Sequence, residues 1–328
     1  PANADARHKV PGMVLVHGGG GTAFPEWVRI WNERGYAAIA MDLEGHAPGT
    51  NQFAGPARVG VFNDAHLPLT NQWMYHAVAD IMLAHSLLAA QPGVDAKRIA
   101  VTGISWGGVL SSLVAGVDVR FKFAAPVYGC GFLYDSAGFF GKSLRQSTGE
   151  EFAQRTMWDP ARYFTASRMP ILWVNGDQDA HFSVDITSRS HAAMKRNSFL
   201  SIHPAMPHSH PPGWQLKSVP EIYAFADHVL NEGEPLPQIT RQPTGTNILV
   251  KYRSPRAITN AVVWYADGPI VYQQPESMKP AFAWHRLDAA LNPKSRTVTA
   301  TLPADAKAYY VNIADERGLV ASSQLVDL

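Results

Sequence analysis

The chain has 328 residues, 46% of them hydrophobic and 17% charged, so it has room for a large and a small domain and can bury a sizeable core. A formal net charge of +1, without any cluster of Lys and Arg, gives no electrostatic basis for binding nucleic acid or an anionic membrane. No uncharged stretch reaches the ~20 residues of a membrane span, and the single cysteine, Cys130, excludes an internal disulfide.

The first part of the chain predicts a parallel sheet. A buried strand is predicted at 13–16, an amphipathic helix at 24–34 and a second strand at 36–41, which together form a right-handed βαβ unit. Residues 47–70 are rich in Gly, Pro and Asn and predict a long surface loop, and a helix is predicted at 71–91.

Four glycines, Gly18 to Gly21, follow the first predicted strand. Glycines let the backbone turn sharply and present bare N–H groups to a ligand. No Lys-Ser or Lys-Thr pair follows them, so a phosphate-binding P-loop is not predicted. His17, directly before them, is interpreted as a structural hydrogen-bond donor rather than a catalyst.

The sequence Gly103-Ile-Ser-Trp-Gly107 has the G-x-S-x-G pattern of a nucleophile elbow. A β-branched, apolar run at 98–102 precedes it and a small-residue helical run follows, which is the strand-turn-helix setting that this motif requires. The strained turn lifts the Ser105 hydroxyl out of the sheet and demands small residues two positions before and after it. We expect Ser105 to be the nucleophile of an acyl-transfer site. The N–H groups of Trp106 and of Gly19 or Gly20 are expected to bind the oxyanion.

The second part of the chain completes the α/β domain and adds a smaller one. Strands are predicted at 121–128, 170–174 and 199–203, helices at 184–196 and 219–231, and an irregular cap or rim at 129–163. A linker at 233–237 precedes five short alternating runs typical of an immunoglobulin-like or fibronectin-like β-sandwich. The predicted runs are 247–252, 259–266, 297–302, 308–313 and 320–326. The predicted domains are therefore 1–236, doubly wound with a mostly parallel sheet, and 237–328, all β.

Ser105 requires a carboxylate that orients and stabilises its base. In the order Ser, Asp, His, the acid follows a later strand, and Asp179 occupies that place. Asp177 is the competing acid, but it follows the strand more closely and suits a role in the turn itself.

Two histidines after the last predicted strand are candidates for the base. His208 is favoured because the small Ser209 follows it, which suits a loop that must bring the ring over the serine. His210 precedes two prolines, which indicates a positioning role. A metal site at His203, His208 and His210 matches no common ligand spacing, so neither a metal nor another cofactor is expected.

Several side chains near these motifs are candidate substrate contacts, although the more conservative interpretation places some of them in the core. The expected contacts are Trp27, Tyr128, Trp158, His210 and Trp214.

The runs that carry a family resemblance are His17 to Ala23 continuing through Tyr36 to Gly45-His46, then Gly103 to Gly107, Asn175 to Phe182 and Met206 to Trp214. They resemble bacterial acetylxylan-esterase-like members of the α/β-hydrolase superfamily, near the dienelactone hydrolases and prolyl oligopeptidases. The resemblance implies an α/β-hydrolase fold and a serine carboxylesterase acting on acetylated carbohydrate or small acyl esters. It also implies a periplasmic or secreted location, with a leader that is not part of this chain.

Two other functions stay open at this point. A prolyl-oligopeptidase-type peptidase is one, although no propeller-sized segment is visible. A non-catalytic carbohydrate-binding protein is the other, although every member of the expected triad is present. Since related hydrolases place further strands before the glycine-loop strand, we expect either a missing N-terminal part or an abbreviated sheet.

Overall fold

A parallel sheet forms the centre of the first domain in the computed structural model, which describes residues 1–45, 56–194, 197–271, 280 and 282–328. Its strands are β1 Val10–Val16, β2 Ala37–Met41, β3 Val94–Ile104, β4 Ala124–Val127, β5 Ile171–Gly176 and β6 Ser198–His203. They lie in the order β2-β1-β3-β4-β5-β6, and every neighbouring pair is parallel. Strands β1, β4 and β5 are buried along their whole length, as expected when helices cover both faces of a sheet.

Helices connect these strands and pack on the sheet. They are α1 Pro25–Glu33, α2 Trp73–Ala89, α3 Trp106–Val117, α4 Phe139–Arg145, α5 Gly149–Arg155, α6 Val184–Ala193, α7 His210–Trp214 and α8 Pro220–Asn231. Helix α1 packs against α8 through the rings of Trp31 and Tyr223, whose centroids are 4.7 Å apart. Helix α2 lies beside α3. Among the described residues, no helix is both long and apolar enough to cross a bilayer.

The structure differs from the sequence prediction at strand β1 and in segment 129–163. Strand β1 begins at Val10, and its register with β3 shifts between Val10 and Gly12, where Pro11 has no N–H to donate. Segment 129–163 contains the two short helices α4 and α5. His46 of the family resemblance, residues 47–55 of the predicted surface loop and residues 195–196 at the end of a predicted helix lie outside the described residues.

The rest of the chain forms two antiparallel sheets. Their strands are β7 Gln238–Arg241, β8 Asn247–Arg253, β9 Ile258–Ala266, β10 Trp284–Asp288, β11 Ala290–Asn292, β12 Thr297–Thr301, β13 Ala308–Asp315, β14 Val320–Ser322 and β15 Val326–Asp327. One sheet has the order β10-β9-β13-β14 with β15 also on β13, and the other has the order β11-β12-β8-β7. The predicted fold class, an α/β domain followed by a β-sandwich, is confirmed, and the predicted boundary falls between α8 and β7.

Strand β13 joins the two parts of the molecule. Its alternate residues Tyr309 and Val311 are in the sandwich core, whereas Tyr310 belongs to the core of the α/β domain. The next residue on that second face, Asn312, donates its Nδ2–H to the Ile202 carbonyl of β6 at 2.9 Å. The Ile202 N–H in turn donates to Ser322 Oγ at 2.7 Å. The sandwich thereby covers the outer edge of strand β6, whose backbone groups would otherwise be unpaired.

Candidate active site

Ser105 lies at the turn between β3 and α3, with φ 58° and ψ -118°. A Cβ at Gly103 would come within 2.1 Å of the Gly107 carbonyl oxygen, and a Cβ at Gly107 within 2.0 Å of the Val16 carbonyl oxygen. Neither position therefore has room for a side chain. The Ser105 N–H donates to the Val127 carbonyl at 2.8 Å, which anchors the turn to strand β4. The backbone thus holds Ser105 in the positive-φ conformation that places its hydroxyl above the sheet.

Three side chains from three separate loops meet at this turn. His208 Nε2 lies 3.0 Å from Ser105 Oγ, and His208 Nδ1 lies 2.7 Å from Asp179 Oδ2. The other Asp179 oxygen, Oδ1, accepts the N–H groups of His181 at 2.8 Å and Phe182 at 3.0 Å. The carboxylate is therefore fixed by its own turn and holds His208 with Nε2 free to take the serine proton.

Asp177, the competing acid, points away from this relay. Its Oδ1 accepts the Ala205 N–H and its Oδ2 accepts the Tyr310 hydroxyl, each at 2.9 Å. Burial raises the pKa of Asp177 to about 6. The structure therefore gives Asp177 a role in holding the loops and Asp179 the contact with His208.

His210 supports the glycine loop instead of contacting the serine. The Gly18 N–H donates to His210 Nε2 at 3.0 Å. The ring also packs on Phe24 with a centroid distance of 5.0 Å, and burial lowers the pKa of His210. His17 donates from Nδ1 to the Gly18 carbonyl and accepts the Leu43 N–H at Nε2, which agrees with the structural role expected for it.

The hydrogen bonds of the glycine loop indicate which N–H groups remain for an oxyanion. Gly18 donates to His210, and Gly21 donates to the Gly18 carbonyl at 3.0 Å, so these two are used. Gly19 lies against the residue after the nucleophile, since a Cβ on it would be 3.1 Å from Trp106 Cδ1. As the first residue of α3, Trp106 has no intrahelical acceptor for its N–H. Gly19, the neighbouring Gly20 and Trp106 are therefore the candidate donors.

The aromatic side chains expected to contact the substrate are core residues in the structure. Trp27 and Trp214 are 2% and 4% exposed and stack on each other at 5.3 Å. Trp158 is buried, with its Nε1–H bonded to Gln72 Oε1. Tyr128 is also buried, donates its hydroxyl to the Pro207 carbonyl and packs on the ring of His208 at 4.8 Å. The rings of these four side chains are covered by other residues of the protein, so none presents an open face to a substrate.

His181 is a member of the site that the sequence analysis missed. Its ring stacks on His208 with a centroid distance of 4.5 Å and an interplanar angle of 28°, and burial lowers the pKa of His181. In the sequence, the only signal for a role of His181 in the site is its position two residues after Asp179.

Asp179, His181 and His208 each offer a ligand atom within 4.8 Å of the others, which is the spacing of a candidate metal site. Imidazole lone pairs lie in the ring plane, however, and two stacked rings do not direct them at one point. Asp179 Oδ2 and His208 Nδ1 are also already bonded to each other. The cluster is arranged for proton transfer rather than for metal binding.

Comparisons with known proteins agree with this geometry. Residues 24–233 match the prolyl oligopeptidase family. The uncharacterized peptidase YuxL of Bacillus subtilis (strain 168) is 23% identical over 210 residues, which cover 60% of this chain. That match spans 30% of the length of the curated relative.

Solved structures of two kinds of enzyme share the fold. An acetyl xylan esterase from Paenibacillus sp. R4 aligns with a TM-score of 0.56 and 21% identity, covering 68% of this chain and 76% of that one. The acetyl xylan esterase 1 of Thermoanaerobacterium sp. JW/SL YS485 aligns with a TM-score of 0.54 and 17% identity, covering 69% and 75%. An acylaminoacyl peptidase of Pyrococcus horikoshii aligns with a TM-score of 0.55 and 20% identity, covering 68% and 38%.

Proposed function

Because the chain belongs to the prolyl oligopeptidase family of serine hydrolases, we propose that it is a serine carboxylesterase that acts through an acyl-enzyme. Its proposed substrates are small acyl esters, among them acetylated saccharides. The observation that carries this proposal is the continuous relay from Asp179 through His208 to Ser105, with distances of 2.7 and 3.0 Å.

The proposed reaction begins when His208 Nε2 takes the Ser105 proton and Oγ attacks the ester carbonyl carbon. The carbonyl oxygen becomes an oxyanion that accepts the N–H groups of Trp106 and Gly19. Asp179 stabilises the imidazolium that forms. His208 then donates its proton to the leaving alkoxide, which leaves an acyl group on Ser105. A water molecule, deprotonated by the same imidazole, then attacks the acyl carbon. The bond from this carbon to Ser105 Oγ breaks, His208 returns the proton to Oγ, and the carboxylic acid is released.

The choice of esters over peptides rests on two observations. The similar solved structures include acetyl xylan esterases of which this chain covers three quarters or more. An alkoxide also leaves more readily than the unprotonated nitrogen of an amide, so the relay described here suffices for an ester. A peptidase is the second candidate, favoured by the family match and by the peptidases among the similar proteins.

The test compares an ester and an amide that share an acyl group. p-Nitrophenyl acetate and p-nitroacetanilide are offered to the wild-type protein and to Ser105→Ala, together with acetylated xylo-oligosaccharide, from which released acetate is measured. We expect wild-type turnover of both acetyl esters and no detectable cleavage of the anilide. In Ser105→Ala, kcat should fall by about 10⁴-fold or more.

The melting temperature and circular dichroism spectrum of Ser105→Ala should match those of the wild type, which excludes misfolding as the cause. Cleavage of N-acylated dipeptide anilides with kcat/KM above that of the esters would favour the peptidase. A folded wild type that cleaves neither class would contradict both candidates.

A further inference from the structure

Arg58 lies on the oxyanion side of the site, next to the residue that follows the nucleophile. Its guanidinium carbon is 5.1 Å from the centroid of the Trp106 ring. A Cβ on Gly19 would be 3.0 Å from Arg58 Nη2 and 3.2 Å from Arg58 Nε. The cation therefore lies beside Gly19 and Trp106, two of the three residues that are candidate oxyanion donors.

The guanidinium of Arg58 forms fewer hydrogen bonds than its N–H groups could make. Nη1 donates to the Gly60 carbonyl at 3.1 Å, whereas Nε is buried and has no hydrogen-bond partner. Among the described residues no carboxylate forms an ion pair with it. The charge of Glu44 favours the protonated guanidinium electrostatically without forming an ion pair with it. The carboxylate of Glu44 instead accepts the backbone N–H of Arg58.

Other arginines of the chain differ in this respect. Arg34, Arg98 and Arg120 each form an ion pair with an aspartate. Burial lowers the pKa of Arg58, although a guanidinium remains protonated at neutral pH. A half-buried cation without a paired anion is unfavourable unless a ligand supplies the anion.

We propose that Arg58 binds an anionic group of the substrate, so that the enzyme prefers esters that carry a carboxylate a few bonds from the scissile carbonyl. The planar guanidinium can donate to one carboxylate from two of its N–H groups together, which is the bidentate geometry that arginine favours. The anion then lies near the oxyanion donors without occupying them. This inference rests on the proposed esterase function.

The experiment uses two pairs of esters that differ only in charge. Mono-p-nitrophenyl succinate and p-nitrophenyl butyrate place a carboxylate or a methyl group at the end of the acyl part. 4-Acetoxybenzoate and p-tolyl acetate do the same in the alcohol part. Ser105→Ala supplies the uncatalysed rate, which is considerable for the succinate because its own carboxylate attacks the ester.

For one of the two pairs, we expect the wild type to favour the anionic ester by about tenfold or more in kcat/KM. In Arg58→Gln this ratio should fall by about tenfold or more, and Arg58→Lys should recover part of it. Arg29→Gln is the matched control, because Arg29 is exposed on α1 and its loss changes the net charge equally. It should leave the ratio at the wild-type value.

Three outcomes would overturn the inference. One is a wild type without preference for either anionic ester, which requires no variant and is informative even if Arg58→Gln fails to fold. Another is an equal loss on charged and neutral esters, which would assign Arg58 to the oxyanion itself. The third is an equal change in Arg29→Gln. In all three the neutral esters are still cleaved, whereas failure of the proposed function would abolish cleavage of every ester.

Discussion

His208 and His210 are two residues apart, yet their imidazoles have different partners. His208 bonds to the nucleophile and the acid, whereas His210 accepts the Gly18 N–H. Burial lowers the pKa of His210, so its ring is neutral at neutral pH and Nε2 can remain an acceptor. One ring is therefore placed to move a proton, and the other is placed to hold the loop that carries the oxyanion donors.

This difference predicts different losses in the two variants. His208→Ala should lower kcat on p-nitrophenyl acetate by about 10⁴-fold or more, since no base remains for the serine proton. His210→Leu should lower kcat less, by about 10–100-fold, because only the position of the glycine loop is disturbed. His210→Gln retains an acceptor and should recover part of that loss. A larger loss in His210→Leu than in His208→Ala would reverse the two assignments.

At the scale of elements, Asp177 connects the loops that carry the catalytic acid and base to the sandwich. Its side chain accepts the Ala205 N–H from the loop after β6 and the hydroxyl of Tyr310 from β13. Its carbonyl accepts the indole N–H of Trp284 from β10 at 2.9 Å. The relative position of Asp179 and His208 thus depends on a buried group contacted by two strands of the sandwich.

The titration of Asp177 predicts a pH-dependent stability. Burial raises the pKa of Asp177 from its ordinary 3.8 to about 6, so the folded protein binds a proton that the unfolded chain releases. The free energy of unfolding should therefore fall as pH rises from about 4 to 6. Burial opposes the charge of the neighbouring His203, but Glu221 and Asp177 favour it more strongly and raise the pKa of His203.

Urea unfolding of wild type and Asp177→Asn at pH 4, 5, 6 and 7 would measure this effect. The amide does not titrate and keeps an acceptor for the Ala205 N–H. Relative to the wild type, the variant should gain about 1–3 kcal/mol between pH 4 and 7. Parallel pH curves for the two proteins would show that Asp177 does not titrate in this range.

At the scale of the whole molecule, the sandwich contributes side chains to the buried core of the α/β domain. Tyr310 and Leu319 belong to the same buried cluster as the central sheet. The buried carboxylate of Glu221 on α8 accepts the Val320 N–H from β14 at 2.7 Å. Ile202, in the edge strand β6, has both backbone groups bonded to sandwich side chains.

A chain cut after Leu236 should therefore be less stable than the whole protein. It would expose apolar core residues and the unpaired edge of β6, which is a template for aggregation. We expect a lower melting temperature and concentration-dependent light scattering from fragment 1–236. A monodisperse fragment with the melting temperature and hydrolytic activity of the whole chain would contradict this view of the sandwich.

In the whole chain, Ser322→Ala tests one contact of the same interface. It leaves the buried Ile202 N–H without its acceptor and should lower the free energy of unfolding by about 1–3 kcal/mol. Ser295→Ala, in an exposed turn of the sandwich, is the matched control and should have little effect.

The sequence by itself determined the fold class and narrowed the partners of Ser105 to two aspartates and two histidines. Strand runs, glycine spacing and the G-x-S-x-G turn are local signals, because each reports backbone conformation within a few residues. The order of Ser105, Asp179 and His208 along the chain then followed from the order of strands. For the same reason His208 and His210 could be ranked only weakly from their immediate neighbours.

Only the tertiary structure decided which side chains are buried and which long-range partners they have. The tryptophans expected at the substrate became core, Arg58 came to lie beside Trp106, and Tyr310 reached Asp177 across 133 positions of the chain. Such contacts depend on how separate helices and strands pack against each other. The hydrophobic periodicity of one element shows which of its faces is buried, but does not identify the element that covers this face.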